Sequence, residues 1–177
     1  MQDSSQVTIR PCEEGDLGAV LDIYAPQVLH GSASFELEVP GIEEMARRWR
    51  DVTTRNLPYL VAERDGVVVG YAYAGPYRPR PAYRYTVENS VYVAAGQERR
   101  GIGRLLLAAL LDECGKLGVR QVMAVIGDSA NEASIRVHSA LGFRRVGTLT
   151  SVGFKFGRWL DVVLMQRELG EGDRTTP

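Results

Sequence analysis

The chain has 177 residues, 45% of them hydrophobic and 24% charged, with 21 Lys and Arg against 22 Asp and Glu. That is the composition of one globular domain, long enough to bury a core without staples. It excludes collagen-like, coiled-coil and grossly disordered chains, and a formal net charge of −1 argues against a general nucleic-acid binder, which is usually clearly basic.

Residues 7–11 read as a first strand. Asp16 is placed to cap a helix running toward His30, with Leu17, Val20, Leu21, Tyr24 and Val28 on one face. Residues 41–51 form a second helix whose Arg47-Arg48-Trp49-Arg50 run reads as a solvated face with a half-buried Trp. A strand at 58–64, the turn Asp65-Gly66 and a returning strand at 67–74 make a hairpin. A Pro- and Arg-rich loop spans 77–84, and the next strand spans 86–93. A long helix follows at 101–117, with Ile102, Leu106, Leu110, Cys114 and Leu117 as its apolar stripe and Gly118 as its C-terminal cap. The strand at 119–126 ends in a continuously apolar run, which suits a central strand covered on both faces. A short helix at 131–141 ends at Gly142, and two last strands fall near 144–149 and 160–167. The strand–helix–strand unit from 86 to 126 requires parallel strands, whereas the hairpin and the last strands imply antiparallel neighbours. The fold class is therefore α/β (α+β): a mixed sheet with flanking helices in one domain over 1–170, with a frayed tail at 171–177.

Cys12 and Cys114 are far apart, so no disulfide framework is expected and a cytoplasmic location is. The only histidines are His30 and His138, which makes a Cys/His metal site unexpected. The N-terminus, 1–6, is polar and lacks the apolar core of a signal peptide. The apolar runs at 67–75 and 105–111 are too short to cross a bilayer, so no membrane partner is expected.

Three segments carry chemistry. In Gln97-Glu98-Arg99-Arg100-Gly101-Ile102-Gly103-Arg104 a glycine-rich turn opens a helix. Free N–H groups, a partial positive charge and the charges of Arg99, Arg100 and Arg104 together suit a pyrophosphate. The plain alternative is a tight turn with solvated arginines. The P-loop pattern is absent. A dinucleotide fingerprint needs a third glycine where Leu106 stands, although Asp128 imitates its ribose-binding acid. Upstream, Glu88 interrupts an otherwise apolar strand. A buried carboxylate there would have a raised pKa and suit a general base; the plain alternative is an edge Glu facing water. Downstream, Asn131, Ser134 and His138 share one helix face. A serine hydrolase is excluded, because Gly127-Asp128-Ser129-Ala130-Asn131 ends on Asn rather than the Gly of GxSxG.

Taken together, these segments resemble the GCN5-related N-acetyltransferase (GNAT) superfamily over residues 7–169. Its [QR]xxGx[GA] motif corresponds to Glu98-Arg99-Arg100-Gly101-Ile102-Gly103, with Glu98 as a departure at the first position. The phosphinothricin and methionine sulfoximine acetyltransferase branch is the nearer resemblance. It rests on Tyr73-Ala74-Gly75-Pro76, the run from Tyr85 to Val93, Ala124-Val125-Ile126-Gly127, the run from His138 to Phe143, and the run from Gly153 to Val162.

The resemblance implies a fold of about seven strands, acetyl-CoA as acetyl donor, a small amine acceptor and a homodimer. It implies that Val91, Tyr92 and Val93 pair with the pantetheine arm through their main chain. The backbone from Arg99 to Leu105 would hold the pyrophosphate, and Asn131, with Ser134, would lie near the thioester. Arg78, Pro79 and Arg80 would form a loop over the acceptor, and Glu88, Asn89 and Ser90 would lie beside its amine. Glu88 is implied as the base and His138 as a second acid/base group, with which of them takes the amine proton left open. Acceptors weighed include phosphinothricin, methionine sulfoximine and methionine sulfone, and also arylamines, polyamines and protein N-termini. A non-catalytic acyl-CoA sensor would need neither Glu88 nor His138.

Overall fold

The computed structural model describes residues 6–177; residues 1–5 of the polar N-terminal stretch lie outside them. Seven strands form one mixed sheet, ordered β1-β2-β3-β4-β5-β7-β6. They are β1 (Thr8–Pro11), β2 (Tyr59–Arg64), β3 (Val67–Pro76), β4 (Thr86–Val93), β5 (Gln121–Gly127), β6 (Arg144–Lys155) and β7 (Arg158–Glu168). Four helices accompany them: α1 (Leu17–Leu29), α2 (Ile42–Thr53), α3 (Ile102–Lys116) and α4 (Glu132–Ala140). Only β4 and β5 pair in parallel, joined through α3 as the strand–helix–strand pattern requires.

Two hydrophobic cores lie on opposite faces of the sheet. One gathers Ile102, Leu106, Leu110 and Cys114 of α3 against β2–β5 and β7. The other packs α1 and α2 through Val20, Tyr24, Val28 and Met45 onto Tyr59, Val61 and Tyr71. Strand alternation decides which core a β residue joins. On β4, Val87, Asn89, Val91 and Val93 face α3 and α4, while Glu88, Ser90 and Tyr92 face α1 and α2.

Turn chemistry behaves as the residues dictate. Asp65 and Gly66 both adopt positive φ, 52° and 76°, the left-handed pair that matches strand twist in a two-residue hairpin. The β6–β7 hairpin uses the same geometry at Phe156 and Gly157, with φ of 52° and 70°. Phe is not a usual left-handed residue, so these strands run well beyond the expected 144–149 and 160–167.

Three expectations are corrected. Asp16 makes no cap bond to α1. Its carboxylate is taken by the N–H of Glu13 at 2.8 Å and by Arg10 at 2.7 Å, which closes a short 3-10 turn instead. Leu117 leaves the apolar stripe and is exposed, because it caps α3 after the last helical turn. β5 is not covered on both faces throughout: Val125 is exposed, where it borders a cleft.

Lys155, at the end of β6, is buried, and its Nζ donates to the carbonyls of Gly31 (2.9 Å) and Ser34 (2.7 Å). A buried ammonium is tolerated only when its protons find acceptors. The hairpin thereby clasps the loop that follows α1. In that loop Phe35 packs over Gly127 and Gly153, where any Cβ would collide with its ring. After β7 the chain turns at Leu169–Gly172, and Arg120 reaches the Gly172 carbonyl and Thr175 Oγ1.

Candidate active site

The parallel pair β4–β5 is hydrogen-bonded only from Thr86↔Gln121 to Asn89↔Ala124. Beyond that, β4 continues to Val93 against β3 alone, and β5 continues to Gly127 against β7 alone. The strands diverge, and the main chain of Ser90–Val93 that faces the gap is left for something other than β5. Side chains do not fill that role: Tyr92 stacks on Tyr71 and meets Tyr24 edge-on in the α1/α2 core.

The divergence opens a cleft of about 340 Å³. Val91, Tyr92 and Val93 line one wall and Ala124–Gly127 the other. Its floor is the start of α3. Arg99 (φ 61°) and Gly101 (φ 79°) turn the chain into that helix. The first helical bond runs from Leu105 N–H to the Gly101 carbonyl, so the N–H groups of Ile102, Gly103 and Arg104 stay available at the positive end of the dipole. A Cβ on Gly103 would meet only Val93 and Val91 at ordinary contact distances, so the protein does not itself require glycine there. Glycine there leaves the helix N-terminus open to the close approach of a ligand. Arg99 and Arg104 line the cleft; Arg100 is exposed outside it. These residues fit a pyrophosphate at the helix and an extended arm in the gap.

On the α4 side, Asn131 caps the helix by accepting the Ser134 N–H at 3.3 Å. Its side-chain oxygen is thus committed to the fold, as capping residues commit theirs. His138 is buried, with Nδ1 2.8 Å from the Ser134 carbonyl and Nε2 2.9 Å from Asn89 Nδ2. Burial pulls the imidazole below its usual pKa, opposed by the Ser134 carbonyl. Asn89 therefore sits with His138 in the cleft rather than beside Glu88. Asp128, the ribose-acid mimic, is spent on the Ala130 N–H and on Arg158 at 2.8 Å, which removes the nicotinamide reading.

Glu88 lies on the opposite face, level with Gly75 and Met123 in the sheet. It is half-buried, and burial raises its carboxyl pKa while Arg78 opposes the rise. Glu88 and His138 thus approach the split from opposite sides of the sheet. Next to Gly75 is a second hollow of about 220 Å³, walled by Tyr24, Tyr59, Tyr71 and Tyr73 and rimmed by Arg48. Tyr59 and Tyr73 stack at 4.9 Å, and Arg48 is held by Glu36 at 2.6 Å. Sequence reasoning missed this hollow, although the alternation Tyr71-Ala72-Tyr73 puts both tyrosines on Glu88's face. Arg78, Pro79 and Arg80 line a third groove with Arg55, Tyr83 and Arg84. Of the loop arginines, Arg78 is the one whose charge is felt at Glu88. No group of residues among those described is arranged to hold a metal ion.

A gap between diverging parallel strands, ending at a glycine-opened helix N-terminus, fits an enzyme of coenzyme A-dependent acyl transfer. Comparison with known proteins makes the class particular: the chain belongs to the GNAT acetyltransferase family, whose Acetyltransferase (GNAT) domain profile matches residues 9–164. It is 52% identical over 170 residues to the phosphinothricin N-acetyltransferase of Alcaligenes faecalis, covering 96% of this chain and 86% of that one. It is 40% identical to the L-methionine sulfoximine/L-methionine sulfone acetyltransferase of Salmonella typhimurium, covering 93% and 96%. The crystal structure of a GNAT superfamily phosphinothricin acetyltransferase from Sinorhizobium meliloti in complex with AcCoA superposes with a TM-score of 0.94 at 45% identity, covering 97% and 92%. The protein is an acetyltransferase, and acetyl-CoA is its acetyl donor. The expected seven-strand GNAT fold is borne out.

Proposed function

We propose that the enzyme acetylates the amino group of a small amino-acid-like acceptor of the phosphinothricin, methionine sulfoximine or methionine sulfone class. The observation that carries this reading is Glu88: a half-buried carboxylate near the end of the β4–β5 ladder, level with Gly75, which lines an aromatic hollow of amino-acid size. The names of the relatives support the same acceptor class.

Bound acetyl-CoA supplies an activated acetyl group. The chain's own residues do the rest. The N–H groups of Ile102–Arg104 and the main chain of Val91–Val93 hold and orient the donor, which turns a two-body step into an effectively unimolecular one. Glu88 takes the proton that an ammonium must lose before it can attack, directly or through one water. Fixed main-chain dipoles along the gap favour developing negative charge. His138 serves as the second proton-handling group on the other side. Transfer is direct, because burial pushes the thiols of Cys12 and Cys114 up to about 12 and leaves no thiolate to carry acetyl.

Steady-state thiol release across a panel of amines tests the reading. Saturable turnover is expected on the sulfoximine, sulfone or phosphinate amino acids; turnover confined to polyamines, arylamines or peptide N-termini overturns it. Arg78→Ala should raise the acceptor KM by about 10–100-fold, the loss of one charge-assisted hydrogen bond, with kcat little changed. Arg80→Ala in the same assay decides whether the neighbouring arginine shares that role: an unchanged KM removes it.

We also assign the working form as a homodimer. Support comes from the edge strand β6 and its hairpin, which expose Leu149, Val152, Phe154 and Trp159 together. Sedimentation should give the dimer mass, and Phe154→Glu the monomer. A cytoplasmic setting is supported by the two free, buried thiols. Among the described residues no helix is long and apolar enough to cross a membrane.

A further inference from the structure

The contact between Asn89 and His138 has an unusual balance of donors and acceptors. Asn89 is 6% exposed and lines the cleft. Its Nδ2 meets His138 Nε2 at 2.9 Å, while its Oδ1 is buried without a partner among the described residues. On the ring's other side, Nδ1 lies 2.8 Å from the Ser134 carbonyl. A carbonyl can only accept, so Nδ1 carries the hydrogen. The neutral ring then has only a lone pair at Nε2, and the Asn89 amino group donates to it. This arrangement seals the nitrogen that would take a proton, and it leaves an amide oxygen stranded, at a cost usual for an unpaired buried acceptor.

Protonation reverses both facts. An imidazolium presents an N–H at Nε2, which meets the amide N–H donor head-on and requires an acceptor instead. Half a turn of the amide about its Cβ–Cγ bond supplies Oδ1 without changing the volume of the side chain. It also frees the amino group as a donor to the cleft. We propose that the Asn89 amide is a two-position switch, amino group toward the neutral His138 ring and carbonyl oxygen toward the imidazolium. When Nε2 gains a proton from water or from the reacting amine, Oδ1 accepts that N–H; when the proton leaves, the amide turns back. Asn89 is therefore a positioning residue acting through His138, and not the acceptor-side group that its place next to Glu88 suggests.

Few charges compete for the ring. Glu88 points from the opposite face of β4. On α4, Glu132 and Arg136 pair with each other at the surface at 2.9 Å. Arg104 of α3 lines the cleft and is exposed. Arg167 of β7 is bound to the Leu141 carbonyl. Phe143 closes one side edge-on at 4.9 Å.

The inference deepens the assignment of His138 to the reaction, but its test does not depend on turnover. With 15N-labelled histidine only two rings report, and His30, which is the C-terminal cap of α1 and does not line the cleft, is the internal control. In the unmodified enzyme His138 should show the Nδ1–H tautomer when neutral. Asn89→Leu keeps the bulk but cannot accept, so the switch predicts that the His138 protonation constant falls by about tenfold or more. A fixed amide predicts the opposite sign, because Leu would relieve an N–H facing an N–H. A rise, or no change, overturns the switch. Asn89→Asp should raise the constant and so report that position 89 still meets the ring. If Asn89→Leu does not fold, Asn89→Ala carries the same test of sign. Any limb of kcat/KM that His138 sets, as distinct from the one set by Glu88, should move with the NMR midpoint. A profile in which no limb moves while the midpoint falls removes His138 from the rate-limiting chemistry and leaves the switch supported.

Discussion

Glu88→Gln is expected to lower kcat by about 10²–10⁴-fold, the usual worth of a positioned general base. The substitution keeps the size of the side chain and removes only its ability to take a proton. Because Glu88 faces α1 and α2 and the proposed pyrophosphate site lies at the start of α3, the KM for acetyl-CoA should stay within about twofold. The pH profile adds a sign. Burial raises the Glu88 pKa above the usual carboxylate range, and the base works only when ionised. The activity of the unmodified enzyme should therefore rise with pH through a midpoint above that of a free glutamate, and the variant should lose this limb. Stopped assays of kcat and kcat/KM from acid to neutral pH check both points. A loss smaller than about fivefold would move the base elsewhere.

Gly103→Val carries the second large effect, and on the other substrate. The N–H of Gly103 belongs to the first turn of α3, and in the proposed reading the absent side chain lets a phosphate reach that turn. A Cβ there meets Val93 at 3.6 Å and Val91 at 3.9 Å, contacts that the fold accepts. The companion Gly103→Ala, which adds only that Cβ, should keep or slightly improve thermal stability without ligand, since glycine is a poor helix residue. In Gly103→Val the KM for acetyl-CoA should rise by about 100-fold or more as charge-assisted contacts to the helix are lost. Unfolding curves beside acetyl-CoA titrations separate the two effects. A destabilised protein with unchanged KM would assign Gly103 to packing.

Much of this was legible in the sequence because its causes are local. The strand Thr86–Val93, the Asp65-Gly66 turn and the glycine-opened helix each depend on residues a few positions apart. What escaped depends on tertiary approach. The 2.9 Å contact between Asn89 and His138 joins residues 49 apart, and Lys155 reaches carbonyls more than 120 residues away. The length of the β6–β7 hairpin was hidden by a Phe in a left-handed turn position. Arg100, between the left-handed Arg99 and Gly101, falls outside the cleft that its neighbour Arg99 lines, and that turn is not written in the residue types. The opposition of Glu88 and Asn89 across the sheet, by contrast, follows from their being adjacent on a strand.

The divergence of β4 and β5 also determines how the molecule is held together. Left of that line lie β1–β4, all antiparallel, and right of it lie β5, β7 and β6, also antiparallel. Four residue pairs of parallel ladder are all that the sheet itself contributes to joining the halves. In the proposed reading the donor's arm lies in the remainder of that line, so that each catalytic cycle would close and reopen a seam in the scaffold. Substrate residence and the rigidity of the enzyme are thereby one physical variable.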